Sequence, residues 1–434
     1  MMQPYELSAT EAAGLIAAGE LSCEELARST LMRIQECESA IRAWSYVNAD
    51  EVVRNARELD KGIPRGALHG LTLGVKDMID TFDMPTSHNS PIYYGHRPSK
   101  DAASVAIVRQ RGAQILGKTE TAEFAAGGRF PNTRNGRNPR YSPGASSSGS
   151  AAAVGAGMAQ LALATQTGGS LIRPAAYNGI HGFKPTHGLV STEGAKTFAP
   201  SLDTIGWYGR SVADLALMAS VFRIAVPEER PGIRGLRVGL CRGPNWQHIE
   251  AGGEAALLAA ARRLEDAGAI VEDLDLPEEL ERATALHGVL MRGEGRVSFF
   301  NEYVQHYPML HEGMRSLVEG AVSSADLIQA HDGLAQCRRV FDGLFGKDLD
   351  VVITPPASGE APLADAGPPP MTSAMVFCAM WTALHVPCVA LPVGDGRDGL
   401  PLGVQLIGAR GLDGRLLAIS HDVAEAVTGD DVRY

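Results

Sequence analysis

A chain of 434 residues with 45% hydrophobic and 21% charged residues has the composition of a folded globular protein, unlike disordered or fibrous sequences. Its 39 lysines and arginines stand against 50 aspartates and glutamates, a net charge of −11 without long runs of one sign, so a nucleic-acid ligand is not expected. No window reaches the roughly 20 apolar residues that span a bilayer, and MMQPYELSATEAAGL lacks the basic and apolar regions of a signal peptide, so a cytoplasmic protein with no membrane partner is expected.

Along the chain, Ser8 to Glu11 and Ser22 to Glu25 each place a hydroxyl three residues ahead of a glutamate, the capping-box spacing, before apolar residues at helical intervals. The first sixty or so residues are therefore predicted to be helical. Glycines then bracket a short apolar run, Leu71 to Val75, which reads as a strand ending on Lys76 and Asp77. After the apolar stretch Ala106 to Leu116, the segment Gly127 to Gly144 is too rich in Gly, Asn and Pro for a regular element and is expected to border a site. From Ser146 onward small-residue turns alternate with an alanine-rich helical stretch and short strands. Beyond Gly235 the pattern predicts a strand at LRVGL, a helix from Glu254 to Ala267, a strand from Ile270 to Leu276 and mostly helix over 284–344. Strands at DVVITPP, PCVALPVG and PLGVQLIGA precede a last helix near 412–427. With no internal repeat and no Ser- or Pro-rich linker, the chain reads as one α/β unit over 1–434, with a helical region at 1–65, a core at 66–215 and a remainder at 216–434.

Six scattered cysteines, Cys23, Cys37, Cys241, Cys337, Cys378 and Cys388, form no CxxC and read as reduced packing residues. HExxH, GxxxxGK[ST] and GxSxG are absent, so zinc chemistry and phosphate cradling lose support and no metal or cofactor is expected. What remains is a pair of Ser/Gly stretches, Gly144 to Ser150 and Thr167 to Ser170. A glycine turn exposes several backbone N–H groups together, which suits an oxyanion hole, and a serine at its end suits a nucleophile. Serine needs a neighbouring base; with no persuasive histidine, a buried lysine whose pKa burial has lowered is the natural candidate. Taken singly, each stretch reads more readily as a connector, and a strand-end lysine as a surface charge.

Taken together, GVKD at 74–77, GASSSGS at 144–150, TGGS at 167–170 and GFKPTHGLVS at 182–191 resemble the amidase signature family in order and spacing. The likeness continues through Ala199 to Gly206, Arg210 to Asp214, Pro387 and the late LPLGVQLIG, nearly the whole chain. It implies a single-domain α/β fold, a large mixed sheet sandwiched between helices. It also implies a catalytic set of Lys76, Ser146 preceded by a cis peptide, and the nucleophile Ser170. The amides of Thr167, Gly168, Gly169 and Ser170 would hold the oxyanion, and water would cleave the acyl-enzyme by the same relay.

The chain departs from most of that family at Gln166, where an aspartate is usual, and at Ile172, where an arginine is usual. QTGGSLIRPA is instead similar to a malonamidase-like subgroup, which implies a substrate carboxylate on Arg173; the alternative is that Arg173 bonds to the protein itself. Ser147 is expected to support the site by hydrogen bonding, Ser148 and Ser150 to serve as turn and cap residues, and Glu123, Phe124 and the loop from Gly127 to Asn138 to line the pocket. His181 and His187 are not expected to be catalytic, because the lysine relay leaves no place for an imidazole. The resulting expectation is a hydrolase of small or aryl amides, extending to carbamates and esters, with a small-molecule amide as partner and homodimerisation left open. A glutaminase-type subunit of a tRNA amidotransferase and a dead binding homologue are the alternatives.

Overall fold

The computed structural model describes residues 2–346, 348–366 and 375–428. Eleven strands form one mixed sheet: β1 (Trp44–Val47), β2 (Thr72–Lys76), β3 (Gln114–Thr119), β4 (Leu161–Gln166), β5 (His181–Lys184), β6 (Thr204–Gly209), β7 (Arg237–Leu240), β8 (Ile270–Asp273), β9 (Val351–Thr354), β10 (Cys388–Asp395) and β11 (Pro401–Ile407). Their spatial order is β1-β3-β2-β4-β6-β5-β10-β11-β9-β7-β8. β2 runs parallel to β3 and β4, and β7 parallel to β8 and β9; the other neighbours are antiparallel.

The helices are α1 (Ala9–Ala18), α2 (Cys23–Ile41), α3 (Ala49–Lys61), α4 (Ala103–Gln110), α5 (Ser148–Gly155), α6 (Ile172–Asn178), α7 (Val212–Val221), α8 (Ala251–Asp266), α9 (Glu278–Glu281), α10 (Ala283–Ser298), α11 (Phe300–His306), α12 (Glu312–Glu319), α13 (Ser324–Asp342), α14 (Ala379–Ala383) and α15 (Asp413–Val427). Both predicted capping boxes are formed, Ser8 with Glu11 at α1 and Ser22 with Glu25 at α2. None of the described helices is long and apolar enough to cross a membrane.

The inner strands are covered on both faces, which explains their near-continuous burial. Side chains alternate between two cores. On one face Leu73, Val75, Leu161, Leu163, Ile205 and Trp207 pack against α4, α7, α8 and α15. On the other, Ala162, Ala164, Tyr208 and Ala390 face α5, α6, α10 and α14. The second face is built from small residues because α5 and α6 lie close to it. Gly149 in α5 marks the limit, since a Cβ there would sit 2.2 Å from the Ala43 carbonyl and 2.4 Å from the Glu120 amide. The period-2 alternation places Lys76 on this same small-residue face.

One local expectation is corrected. The N-terminal region is not all helix: Trp44–Val47 forms β1, stabilised by antiparallel pairing with β3. The apolar stretch Ala106 to Leu116 spans the end of α4 and the start of β3, with Gly112 at φ +91° in the turn between them.

Candidate active site

Since β2 and β4 are parallel, their carboxyl ends open at the same edge of the sheet, where α/β proteins bind ligands. β2 ends there on Lys76, and β4 ends on Gln166 and passes through the turn 167–171 into α6. The second motif loop, 144–147, starts on Gly144 at φ +78° and leads into α5; the Ala145–Ser146 peptide is cis. The two loops are tied together where the Ser147 amide donates to the Ser170 carbonyl over 3.2 Å.

Lys76 is fully buried, and its Nζ lies 2.8 Å from Ser146 Oγ, 3.0 Å from Ser147 Oγ and 2.7 Å from Thr165 Oγ1. No carboxylate among the described residues pairs with it. Burial holds its pKa well below the ordinary lysine range, opposed only by the more distant Asp203. The hydroxyl inventory restricts the arrangement further. Ser147 Oγ donates its hydrogen to the Thr165 carbonyl over 3.1 Å, so towards Lys76 it can only accept. The remaining N–H and the lone pair of a neutral amine are shared between Thr165 and Ser146. When Thr165 accepts, the lone pair faces the Ser146 hydroxyl.

Ser170 is 9% exposed and opens on the same cleft as Ser146. The amides of Gly168, Gly169 and Ser170 donate to no acceptor among the described residues. The turn is held from outside: Thr167 Oγ1 donates to Asp203 over 2.5 Å, and Asp203 also accepts from the Phe198 and Ala199 amides. Burial pushes the Asp203 carboxyl up to about 6. His287 of α10 lies with Nε2 2.7 Å from the Thr167 carbonyl, and Thr382 of α14 donates to the Gly168 carbonyl over 2.8 Å. Gln166, the departure noted above, accepts from the Leu171 and Ile172 amides through Oε1 and donates through Nε2 to Thr382 Oγ1 over 3.0 Å.

The cleft encloses about 1060 Å³, including space open to solvent, and its walls are mainly apolar. Gly127, Phe130, Phe198, Met291 and Met375 face Ser146, Thr167, Gly168, Ser170 and Arg173 across it. Arg173 is 8% exposed; its Nη2 donates to the Ala145 carbonyl, while its buried Nη1 has no partner among the described residues. An unpaired guanidinium nitrogen in an apolar-walled cleft is costly unless a ligand meets it.

Several residues expected near the cleft lie elsewhere. Phe124 is fully buried against Phe299 and Tyr93 and does not line the cleft. Glu123 pairs with Arg129 at 2.6 Å and so shapes the following loop from beneath. Ser150 is not a cap: its hydroxyl donates to the Leu163 carbonyl over 2.9 Å, joining α5 to β4. Ser148 Oγ makes the expected turn contact with the Gly144 carbonyl at 2.8 Å. His181 is partly buried at the start of β5, and His187 stacks on His385 at 4.2 Å between ring centroids; neither lines the cleft. Among the described residues one group has metal-ligand spacing, His421, Asp422 and Glu425, and Arg230 pairs with both of its carboxylates. His287 and Thr382 were not singled out in the sequence, since neither sits in a motif.

The amidase family profile matches residues 25–417. The chain belongs to the amidase family. A relative from Symbiobacterium thermophilum, one of the subunits of a glutamyl-tRNA(Gln) amidotransferase, is 35% identical, with 95% of each chain covered. Among solved structures, one described as an amidase superposes with a TM-score of 0.88 at 28% identity, covering 98% of this chain and 100% of its own. The native peptide amidase from Stenotrophomonas maltophilia gives a TM-score of 0.80 at 29% identity, covering 98% of both chains. The sheet and its two helical layers are thus those of amidase structures, and as a member of this family the chain is a hydrolase acting on C–N bonds.

Proposed function

We propose that this protein hydrolyses a small amide carrying a carboxylate through an acyl-enzyme on Ser170. The observation that carries the reading is Lys76, buried 2.8 Å from Ser146 Oγ with no carboxylate of the described residues in contact, beside a serine turn whose three amides meet no acceptor among those residues. In this reading neutral Lys76 takes the Ser146 proton as Ser146 takes that of Ser170, whose Oγ attacks the amide carbon. The negative charge on the carbonyl oxygen meets the amides of the 167–170 turn. The relay then returns the proton to the leaving nitrogen, and water attacks the ester by the reverse path. The Nη1 of Arg173, which meets no partner among the described residues, supports a carboxylate on the substrate, and the apolar walls support a compact apolar body between the two groups. Carbamates and esters pass through similar tetrahedral intermediates and fit the same machinery.

A second reading has a specific observation behind it. The likeness to the amidotransferase relative extends over nearly both whole chains, which supports glutamine as the amide and further subunits as partners. One experiment separates the two: hydrolysis of matched neutral and carboxylate-bearing amides, with glutamine included, by the purified chain. The proposal expects turnover by the single chain and a preference for the acid that Arg173→Leu reduces by roughly tenfold or more, the scale of one charge-assisted pair. Turnover of glutamine appearing only with partner subunits would favour the second reading; no preference for the acid would remove the role given to Arg173.

A further inference from the structure

In a trans peptide the carbonyl of one residue and the N–H of the next point in opposite directions, so fixing the one aims the other. This matters for the 167–170 turn, whose glycines have few conformational constraints of their own. The Thr167 carbonyl is met by His287 Nε2 at 2.7 Å, and the Gly168 carbonyl by Thr382 Oγ1 at 2.8 Å. Both partners are buried, and they come from α10 and α14, 120 and 214 positions further along the chain. The N–H groups that these two contacts aim are those of Gly168 and Gly169, which have no acceptor among the described residues.

We infer that His287 and Thr382 are positioning residues that set the oxyanion hole, holding the two carbonyls outward so that the Gly168 and Gly169 amides face the reacting oxygen. The inference rests on the reading of Ser170 as nucleophile and adds to it two residues outside the motifs. Gln166 completes the device. Its Oε1 is taken by two amides of the turn into α6, so its Nε2 must face Thr382, and a hydroxyl that accepts from Nε2 has its one hydrogen left for a carbonyl. The Gly168 carbonyl at 2.8 Å is nearer than the alternative, Cys378 at 3.2 Å. A carboxylate at position 166 would instead compete for that hydrogen. His287 can serve only as the tautomer bearing a hydrogen on Nε2, because a carbonyl can only accept.

The test uses Thr382→Val and His287→Phe, with Thr382→Ser and His287→Gln as variants that keep a donor, in the full chain. Losing one oxyanion donor typically costs 10²–10³ in rate, so mis-aiming one is expected to lower kcat by about tenfold to a hundredfold while KM changes by less than about threefold. Affinity for a boronic acid that forms a tetrahedral adduct on serine should fall by a similar factor, and affinity for a non-hydrolysed substrate analogue that forms no adduct should not. The donor-keeping variants should recover most of the loss. Unchanged kcat in folded Thr382→Val and His287→Phe would overturn the inference, as would equal losses for the boronic acid and the ground-state analogue. Ser170→Ala separates this from the underlying reading: if that variant still turns over, the nucleophile is wrong, whereas if it is dead and Thr382→Val is normal, only the positioning role fails.

Discussion

Lys76 takes its proposed role from what surrounds it. Three hydroxyls and, among the described residues, no carboxylate touch its Nζ, and burial holds its pKa well below 10.5. The folded chain therefore binds fewer protons than the unfolded one at every pH between the lowered value and 10.5. Over that range the lysine's contribution to stability rises with pH, and its cost is greatest at the acidic end. Replacing it with Met removes this pH-dependent term, so the melting temperature of Lys76→Met relative to wild type should be higher at about pH 6 than at about pH 9. Thermal melts at the two values check this, and a difference that grows with pH would contradict it. Turnover of the wild type should rise with pH through the lysine's lowered pKa, because only the neutral amine can take the Ser146 proton. The sequence made Lys76, Ser146 and Ser170 legible only as a set, because order and spacing across three motifs carried what none carried singly. The contacts around them were not legible: Asp203 lies in the stretch Ala199 to Gly206, yet nothing local tied it to Thr167, and Thr165, His287 and Thr382 reach the site through strand pairing and helix packing, which leave no local pattern.

At the scale of elements, the signature loops depend on how closely α5 can approach the sheet. Ser147 and Ser150 bond to Thr165 and Leu163 of β4, and Gly149 lies where any Cβ would strike the backbone at Ala43 and Glu120. Gly149→Ala should therefore cost about 1–3 kcal/mol, the usual penalty of overpacking a tight core. Denaturant unfolding would measure it; a change below about 0.5 kcal/mol would mean that α5 has room to shift. This close approach also explains why GASSSGS was readable as a motif while the role of each serine was not. Ser150 has a cap-like position in sequence, yet its hydroxyl is drawn to β4 by proximity. β1 was missed for a related reason: its four residues, Trp44–Val47, lie between two helices, and their partner in β3 begins far along the chain. The capping boxes and the strand ending on Lys76 were legible because their signals are local.

Across the whole molecule, the motif-bearing half and the helices over 283–342 meet at a charge pair whose carboxylate is buried and whose lysine is partly exposed. Lys196 contacts Glu302 of α11 and lies near the rings of Tyr93, Phe124 and Phe299, and the Tyr93 hydroxyl donates to the same carboxylate over 2.6 Å. Glu302 is 1% exposed, so removing its cation leaves a buried charge. Lys196→Met should destabilise the protein by about 3 kcal/mol or more, and adding Glu302→Gln should recover most of that. A double-mutant cycle in denaturant decides it: simple additivity would mean that the pair does not couple the two regions. This pairing also accounts for Phe124, which the sequence suggested for the pocket and which instead packs beneath it in the aromatic group around Lys196. The α/β class and the large mixed sheet were legible from strand and helix periodicity together with the family likeness. The strand order was not, because it depends on pairings between distant segments. The most direct test of the central claim is to treat the intact chain with a fluorophosphonate and map the adduct by mass spectrometry. The account expects one adduct, on Ser170, absent in Ser170→Ala and formed far more slowly in Lys76→Met and Ser146→Ala. Labelling at another residue, or labelling of Ser170 at an unchanged rate without Lys76, would contradict it.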